Sequence, residues 1–203
     1  MTIVSGAASA LVSQTAAYPL AQATAGKRPT PTTIGTRTAF ATDGVDDNLT
    51  SGAYTNSGYV SWFGVVQPIT MVSDKGICSL GYHHTYQALS ALGGRWGAYP
   101  NSPADSGATL VVGTPYVLAV VMRSSDMDLW TNGTKNTVGF TSPVYNVSAV
   151  SLGERMAASQ WASTRHGYHV LFDHGSAVSL PRSVVVRICK ALACRHRIAI
   201  ARM

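Results

Sequence analysis

The stretch YVLAVVMRSSDMDLWTNGTK, residues 116–135, decides the fold class of this chain. Tyr116–Met122 is apolar almost without a break, which is typical of a central strand in a sandwich. Asn132 and Gly133 follow the next short run and supply the positive φ angles that a tight hairpin turn requires. The stretch therefore predicts a buried strand followed by a β-hairpin.

The chain on both sides of this stretch has the same β character. Short runs rich in β-branched and aromatic residues alternate with Gly, Asn, Asp or Pro. Further strands are predicted at Thr38–Thr42, Tyr59–Gln67, Gly76–Tyr82, Tyr86–Leu92, Thr109–Val112, Thr134–Phe140, Ala149–Gly153 and Ser163–Asp173. Many short strands followed by one terminal helix favour an all-β sandwich over an α/β sheet.

The two ends of the chain differ from the middle. Residues 1–36 are rich in small residues and prolines, and they predict an extended N-terminal arm with one strand at a sheet edge. Residues 37–178 are the predicted β-sandwich domain. Within 179–203, apolar residues at three- and four-residue spacing predict an amphipathic helix, capped by Ser179 or Ser183.

The charge of the chain is concentrated at its C-terminal end. The net charge is +6, and six basic residues but no acid follow Asp173, so residues 1–173 are neutral. This segment could meet nucleic acid or an acidic partner surface, or it could be a helix with a solvated cationic face, and the last interpretation is favoured. Nucleic acid is therefore not expected as a partner.

Three cysteines, Cys78, Cys189 and Cys194, do not make a disulfide framework, which fits a reducing compartment during folding. No basic residue precedes Lys27, so a secretory signal is not expected. No run of about 18 apolar residues is present, so a membrane partner is not expected either.

Several short motifs occur in an order that resembles a known family. They are QATAGKRPT (Gln22–Thr30), TAFATDGVDDNL (Thr38–Leu49), LWTNG (Leu129–Gly133), Leu152-Gly153 and the strand HVLFD before a helix. Together they resemble concanavalin A-like lectin/glucanase (laminin-G-like) domains as found in bacteriophage tail and head proteins. The resemblance covers roughly Gln22 to Leu192, by motif order.

This resemblance implies a concanavalin A-like jelly-roll sandwich and a role in a virion. The chain would be a structural or adhesive component, such as a head decoration or part of a tail fibre or baseplate, made in the host bacterial cytoplasm. Its expected partners are other virion subunits, including copies of itself in a homo-oligomer, and a host-surface glycan. A free-standing glycan-binding lectin module is the alternative.

Enzymatic activity is not expected, because glycoside hydrolysis needs two carboxylates at a set separation. The glucanases that share this fold are similar in using a pair of glutamates on one strand, whereas Glu154 is the only glutamate here. Asp126 and Asp128 have the right spacing but are expected at a turn. No cofactor is expected, with calcium as the one candidate.

Calcium would bind at Asp43, Asp46 and Asp47, because hard cations take carboxylate oxygens. The alternative, which is favoured, is that these aspartates stabilise a turn by accepting backbone N–H groups.

A cluster of aromatic, histidine and arginine side chains is the first candidate group, and a histidine pair is the second. The first could bind a glycan by stacking and hydrogen bonding, or could make sheet-face and subunit contacts, and the sequence leaves both open. It comprises His83, His84, Tyr86, Arg95, Trp96 and Tyr99. The second is His166 and His169, which are three apart and should face opposite sides of a strand, so they predict a poor metal pair.

Overall fold

A computed structural model describes residues 2–4, 7–11, 20–51, 60–80, 83–86, 93–99, 103–123, 126–139, 149–155, 160–173 and 180–199. These residues form two β-sheets and one α-helix, numbered in chain order. The strand pairs are antiparallel except for one short parallel contact, between Trp161 and Gly76. The predicted all-β sandwich with a C-terminal helix is confirmed.

The larger sheet has eleven strands. They are β1 (Thr2–Val4), β2 (Ala7–Leu11), β3 (Leu20–Ala21), β6 (Leu49–Ser51), β8 (Gly76–Leu80), β9 (His83–Tyr86), β10 (Gly97–Tyr99), β11 (Ala104–Asp105), β15 (Val150–Leu152), β16 (Glu154–Arg155) and β17 (Gln160–Trp161). The main order is β1-β2-β3-β6-β15-β8-β9-β10-β11, and β16 and β17 form a side branch beside β8.

The smaller sheet has seven strands in the order β14-β13-β12-β7-β18-β5-β4. They are β4 (Thr30–Ile34), β5 (Arg37–Asp43), β7 (Val60–Pro68), β12 (Tyr116–Met122), β13 (Asp126–Thr131), β14 (Thr134–Gly139) and β18 (Ser163–Asp173). The hairpin of β13 and β14 turns at Asn132 and Gly133, with φ angles of 46° and 90° as predicted.

The smaller sheet is buried on both faces, which explains the unbroken apolar run of β12. Leu118 and Val120 pack into the interior between the two sheets. Val117 and Ala119 point the other way and pack with Val185 of the helix. A strand between two apolar layers has no solvent face, so its sequence does not alternate.

The helix α1 (Arg182–His196) begins differently from the prediction. Pro181 occupies the N-cap position and no side chain caps the helix, while Ser183 lies inside the first turn and Ser179 lies outside the described residues. At the other end, Arg197 is left-handed (φ 55°) and its N–H binds the carbonyls of Ala193 and Cys194.

The N-terminal arm contributes more to the sheets than the one edge strand expected. Its strands β1, β2 and β3 lie at one end of the larger sheet, and β4 is an edge strand of the smaller one. Thr109–Val112, predicted as a strand, is a loop. β9 ends at Tyr86 instead of beginning there, and residues 81–82 and 87–92 lie outside the described residues. The boundaries at residues 36 and 178 stay predictions.

Among the described residues, no helix is long and apolar enough to cross a membrane.

Candidate functional site

Strands β9 and β10 bring several residues of the first candidate group together. They pair antiparallel, with His84 opposite Tyr99 and Tyr86 opposite Gly97. Tyr99 is half-buried. The side chains of His83, His84 and Tyr86 lie outside the described part of the structure, so the juxtaposition is one of the backbone.

Trp96, by contrast, is a core residue and cannot contact a ligand. Its exposed fraction is 0%. The indole N–H donates to the hydroxyl of Thr131 at 2.7 Å, across to the smaller sheet. Buried indoles normally find such a partner. The glycan-contact interpretation of Trp96 is therefore wrong, and its role is to tie β10 to β13.

Arg95 is occupied by an intramolecular ion pair. Its guanidinium binds the carboxylate of Asp105 through Nε at 2.8 and 2.9 Å and through a terminal nitrogen at 2.6 Å. The hydrogen bond from Arg95 holds the pKa of Asp105 below its usual value. Because both partners are largely solvated, the ion pair between Arg95 and Asp105 of β11 contributes little to the free energy of unfolding. Tyr99 is therefore the described member of the group best placed to meet a ligand.

The three aspartates Asp43, Asp46 and Asp47 form a compact turn after β5. Their ligand oxygens lie within 4.8 Å of one another. One oxygen of Asp43 accepts the backbone N–H groups of Val45, Asp46 and Asp47 at 2.8–3.3 Å. Asp47 accepts the N–H of Asp43 at 3.2 Å.

The pKa values of this turn follow from those contacts. Burial would raise the pKa of Asp43, but its three backbone hydrogen bonds outweigh this and lower it. Burial, with the nearby Asp43 carboxylate, raises the pKa of Asp47 to about 6. Since oxygens that a cation would need already accept amide hydrogens, the arrangement favours the turn-stabilising role. Calcium at this turn stays a prediction.

Asp126 and Asp128 lie in strand β13 and not at a turn, which corrects the expectation. Arg123 donates to both carboxylates, with 2.8 Å from each terminal nitrogen to an oxygen of Asp128. Thr137 also donates to Asp128 at 2.6 Å. Burial alone would raise the pKa of Asp128, but these donors lower it. The pair is thus a structural ion-pair network.

His166 and His169 face the same side of β18, contrary to the prediction. Between them Gly167 and Tyr168 oppose the single residue Val65, a β-bulge that inserts one extra residue. The two rings therefore both enter the interior between the sheets, with centroids 5.4 Å apart.

The two histidines are neutral members of the core. His166 stacks on Phe40 at 4.9 Å, and His169 accepts the indole N–H of Trp62 at 3.2 Å. Burial lowers the pKa of His166 well below its usual value and that of His169 to about 3. Within the described ranges, the aspartates of the β5 turn are the only set of three or more potential metal ligands that lie together. That His166 and His169 make a poor metal pair stays a prediction.

Comparisons with known proteins bear on the fold. Domain 4 of AbnA, an extracellular arabinanase from Geobacillus stearothermophilus in complex with arabinotriose, matches with a TM-score of 0.62 and 10% identity. The match covers 79% of this chain and 81% of that domain. It shows the β-sandwich fold.

Two further neighbours are parts of larger chains. A Trypanosoma rangeli sialidase matches 94% of this chain but 32% of its own, with a TM-score of 0.63 and 12% identity. The binding domain of Paraclostridial Mosquitocidal Protein 1 matches 81% of this chain and 46% of its own, with a TM-score of 0.53 and 7% identity. None of these three neighbours is described as a virion component.

In sequence, no protein-family model matches the chain, and no characterised protein matches it either.

Proposed function

We propose that this chain is a non-catalytic, glycan-binding β-sandwich module, of the concanavalin A-like kind that its motifs resemble. The observation that carries the proposal is the pairing of His84 with Tyr99 on adjacent strands of the larger sheet. The fold adds support, because a domain of similar size and shape is known in complex with arabinotriose.

The chemistry of strands β9 and β10 suits a sugar. A tyrosine ring offers an apolar face to the C–H groups of a pyranose and a hydroxyl for hydrogen bonding. Histidine adds a donor and an acceptor in its neutral form. Tyr99, His84 and Tyr86 come from two directly paired strands, so the sheet would hold them in fixed relation to a ligand.

The absence of catalysis is part of the proposal. Asp126 and Asp128 are bound by Arg123, and Asp43 and Asp47 are bound by the backbone of their own turn. Carboxylates held in this way are poor general acids or nucleophiles, and retaining or inverting hydrolysis needs two that are available.

A glycan array with wild type and Tyr99→Ala tests the proposal. We expect wild type to bind a subset of neutral oligosaccharides. Tyr99→Ala should lose most of that signal, because the substitution removes the aromatic ring that would stack on the sugar. Tyr168→Ala, which removes a ring from the smaller sheet, is the matched control and should bind neutral glycans normally. Absence of any glycan signal from folded wild type would contradict the proposal.

A second candidate function is assembly into a larger particle such as a virion, favoured by one apolar end of the sandwich. Every exposed large hydrophobic side chain among the described residues lies there: Val45, Ile69, Val72, Val111 and Val112. Hydrogen bonds join the loops, since Ile69 donates to Ser163 and Gly113 to Pro68, each at 2.9 Å. Clustered exposed apolar side chains usually mark a contact surface.

Light scattering on wild type and on Val111→Ser/Val112→Ser tests the assembly role. We expect wild type to form a homo-oligomer and the double variant to have a monomer's mass, because each serine removes apolar area from the contact. Thr114→Ala, in the same loop, should leave the mass unchanged. A monomeric wild type across the accessible concentration range would rule out this self-assembly.

A further inference from the structure

We propose that the groove between α1 and β18 binds a carboxylate-bearing sugar, such as a uronic acid unit of a glycan. The inference rests on the proposed glycan-binding function and names a ligand class and a site on the opposite sheet from Tyr99.

The groove is an open and mostly apolar depression of the surface. Its volume is about 560 Å³, within the range of ligand pockets. It lies where the helix leaves the outer face of the smaller sheet, beside β18. Its walls are Arg37, Tyr168, Val170, Ile188, Leu192 and Arg195, with Ala191 and Cys194 completing the rim.

Two arginine side chains line this groove. Nε of Arg37 donates to the carbonyl of Arg195 at 3.0 Å, which fixes the strand residue beside the helix end. The guanidinium carbon of Arg195 lies 4.2 Å from the ring centre of Tyr168. Cation–π stacking leaves the edge N–H groups of Arg195 available to an anion.

Nothing acidic within the described residues neutralises these two charges. The ion pairs seen among the described residues involve Arg95, Arg123 and Lys135, and none of them involves Arg37 or Arg195. The sequence also has no acidic residue after Asp173. A carboxylate bound between two guanidiniums would relieve their repulsion and could accept two parallel hydrogen bonds.

The positive charges of Arg37 and Arg195 also affect the pKa of His196. His196 is the last residue of the helix and is buried. Burial lowers its pKa, and the charges of Arg195 and Arg37 lower it further. Arg195 and Arg37 therefore both act near His196, the last residue of the helix.

The lining favours a sugar acid over a simple anion. Val170, Ile188 and Leu192 give the groove an apolar floor. An inorganic anion would leave that floor exposed to water, whereas the C–H face of a pyranose would cover it. Arg187 and Lys190 are exposed but do not line the groove, so the site is distinct from the general positive charge of the helix.

A native cysteine in the groove provides the measurement. Cys194 is exposed and lines the groove, whereas Cys78 and Cys189 are buried. Burial raises the pKa of the Cys189 thiol to about 12 and raises that of Cys78 as well, so both should be inert. The alkylation rate of Cys194 by iodoacetamide therefore reports whether the groove is occupied.

We expect trigalacturonate to slow alkylation in a saturable manner and maltotriose at the same concentration to leave it unchanged. Arg37→Gln and Arg195→Gln should each weaken protection about tenfold or more, the usual loss for a charge-assisted hydrogen bond. Arg187→Gln removes a positive charge outside the groove. In this variant trigalacturonate should protect Cys194 from alkylation as well as it does in wild type. Circular dichroism checks that each variant is folded.

Three results would overturn the inference: no protection by trigalacturonate, equal protection by maltotriose, or equal weakening by Arg187→Gln. These results are separable from failure of the proposed function, which is measured on neutral glycans with Tyr99→Ala. Tyr99-dependent binding without groove protection would reject the groove alone. Absence of all neutral glycan binding, with groove protection intact, would reject the Tyr99 site alone.

Discussion

At the scale of single residues, Gly64 shows how closely the interior is packed. A Cβ at this position would lie 2.3 Å from the Trp62 ring and 2.7 Å from Nδ1 of His169. We therefore expect Gly64→Ala to lower the free energy of unfolding by about 1–3 kcal/mol, as overpacking does. Denaturant unfolding measures this change. Gly26→Ala, where a Cβ meets nothing within 4 Å, is the control, and equal destabilisation by both would contradict the explanation.

Residue environments were the hardest feature to predict from the sequence. Trp96 reads like a surface aromatic because glycines and an arginine surround it, yet it is buried against Thr131. Alternation along a regular strand predicts opposite faces for His166 and His169, and the bulge breaks this alternation. Gly167 within the strand was the available signal, since an isolated glycine in a strand often marks a bulge. The groove at Arg37 and Arg195 joins residues far apart in sequence, so only the fold reveals it.

At the scale of elements, the hairpin of β13 and β14 depends on an ion pair at its open end. Asp128 is nearly buried and is held by Arg123 at the end of β12, with Lys135 at 3.5 Å. We expect Arg123→Gln to lower stability by about 1–3 kcal/mol, because a partly desolvated carboxylate loses its bidentate donor. Thermal unfolding at neutral pH measures the loss. Arg187→Gln, which removes an exposed cation from α1, should change stability by no more than about 0.5 kcal/mol, and a similar loss there would refute the local cause.

Elements with a strong local signal were predicted well. The turn at Asn132 and Gly133 needs positive φ, and few residue pairs supply it, so the hairpin was predictable. β12 was predictable because its apolar run is long. The prediction of a strand at Thr109–Val112 was wrong because a β-branched composition is also compatible with a loop. The backbone N–H of Val111 donates to the Tyr116 hydroxyl and not to a neighbouring strand. The predicted start of the helix was wrong because Pro181, at the N-cap, has no side-chain group that could cap the helix and mark its start in the sequence.

At the scale of the whole molecule, three layers share two apolar interiors. The smaller sheet lies between the larger sheet and α1, so its central strands are covered on both faces. This arrangement buries two histidines, and no Asp, Glu, Lys or Arg among the described residues shifts the pKa of either one. His166 stacks on the Phe40 ring and His169 stacks on the Trp62 ring. His196, at the end of the helix, lowers the pKa of His169 further. The fold should therefore be sensitive to acid.

The sign of that sensitivity follows from the lowered pKa values. In the unfolded chain these histidines titrate near pH 6.5, while in the fold they stay neutral down to about pH 3 for His169. Stability is therefore fully present above pH 6.5 and is lost as the pH falls, by up to about 1.4 kcal/mol per pH unit for each histidine. We expect His166→Leu to lose less stability than wild type between pH 6 and pH 4, as measured by denaturant unfolding at each pH. Phe40→Leu, a substitution against the same ring, should lower stability equally at both pH values. If the free energy of unfolding of His166→Leu falls with pH as steeply as that of wild type, groups other than His166 cause the acid sensitivity.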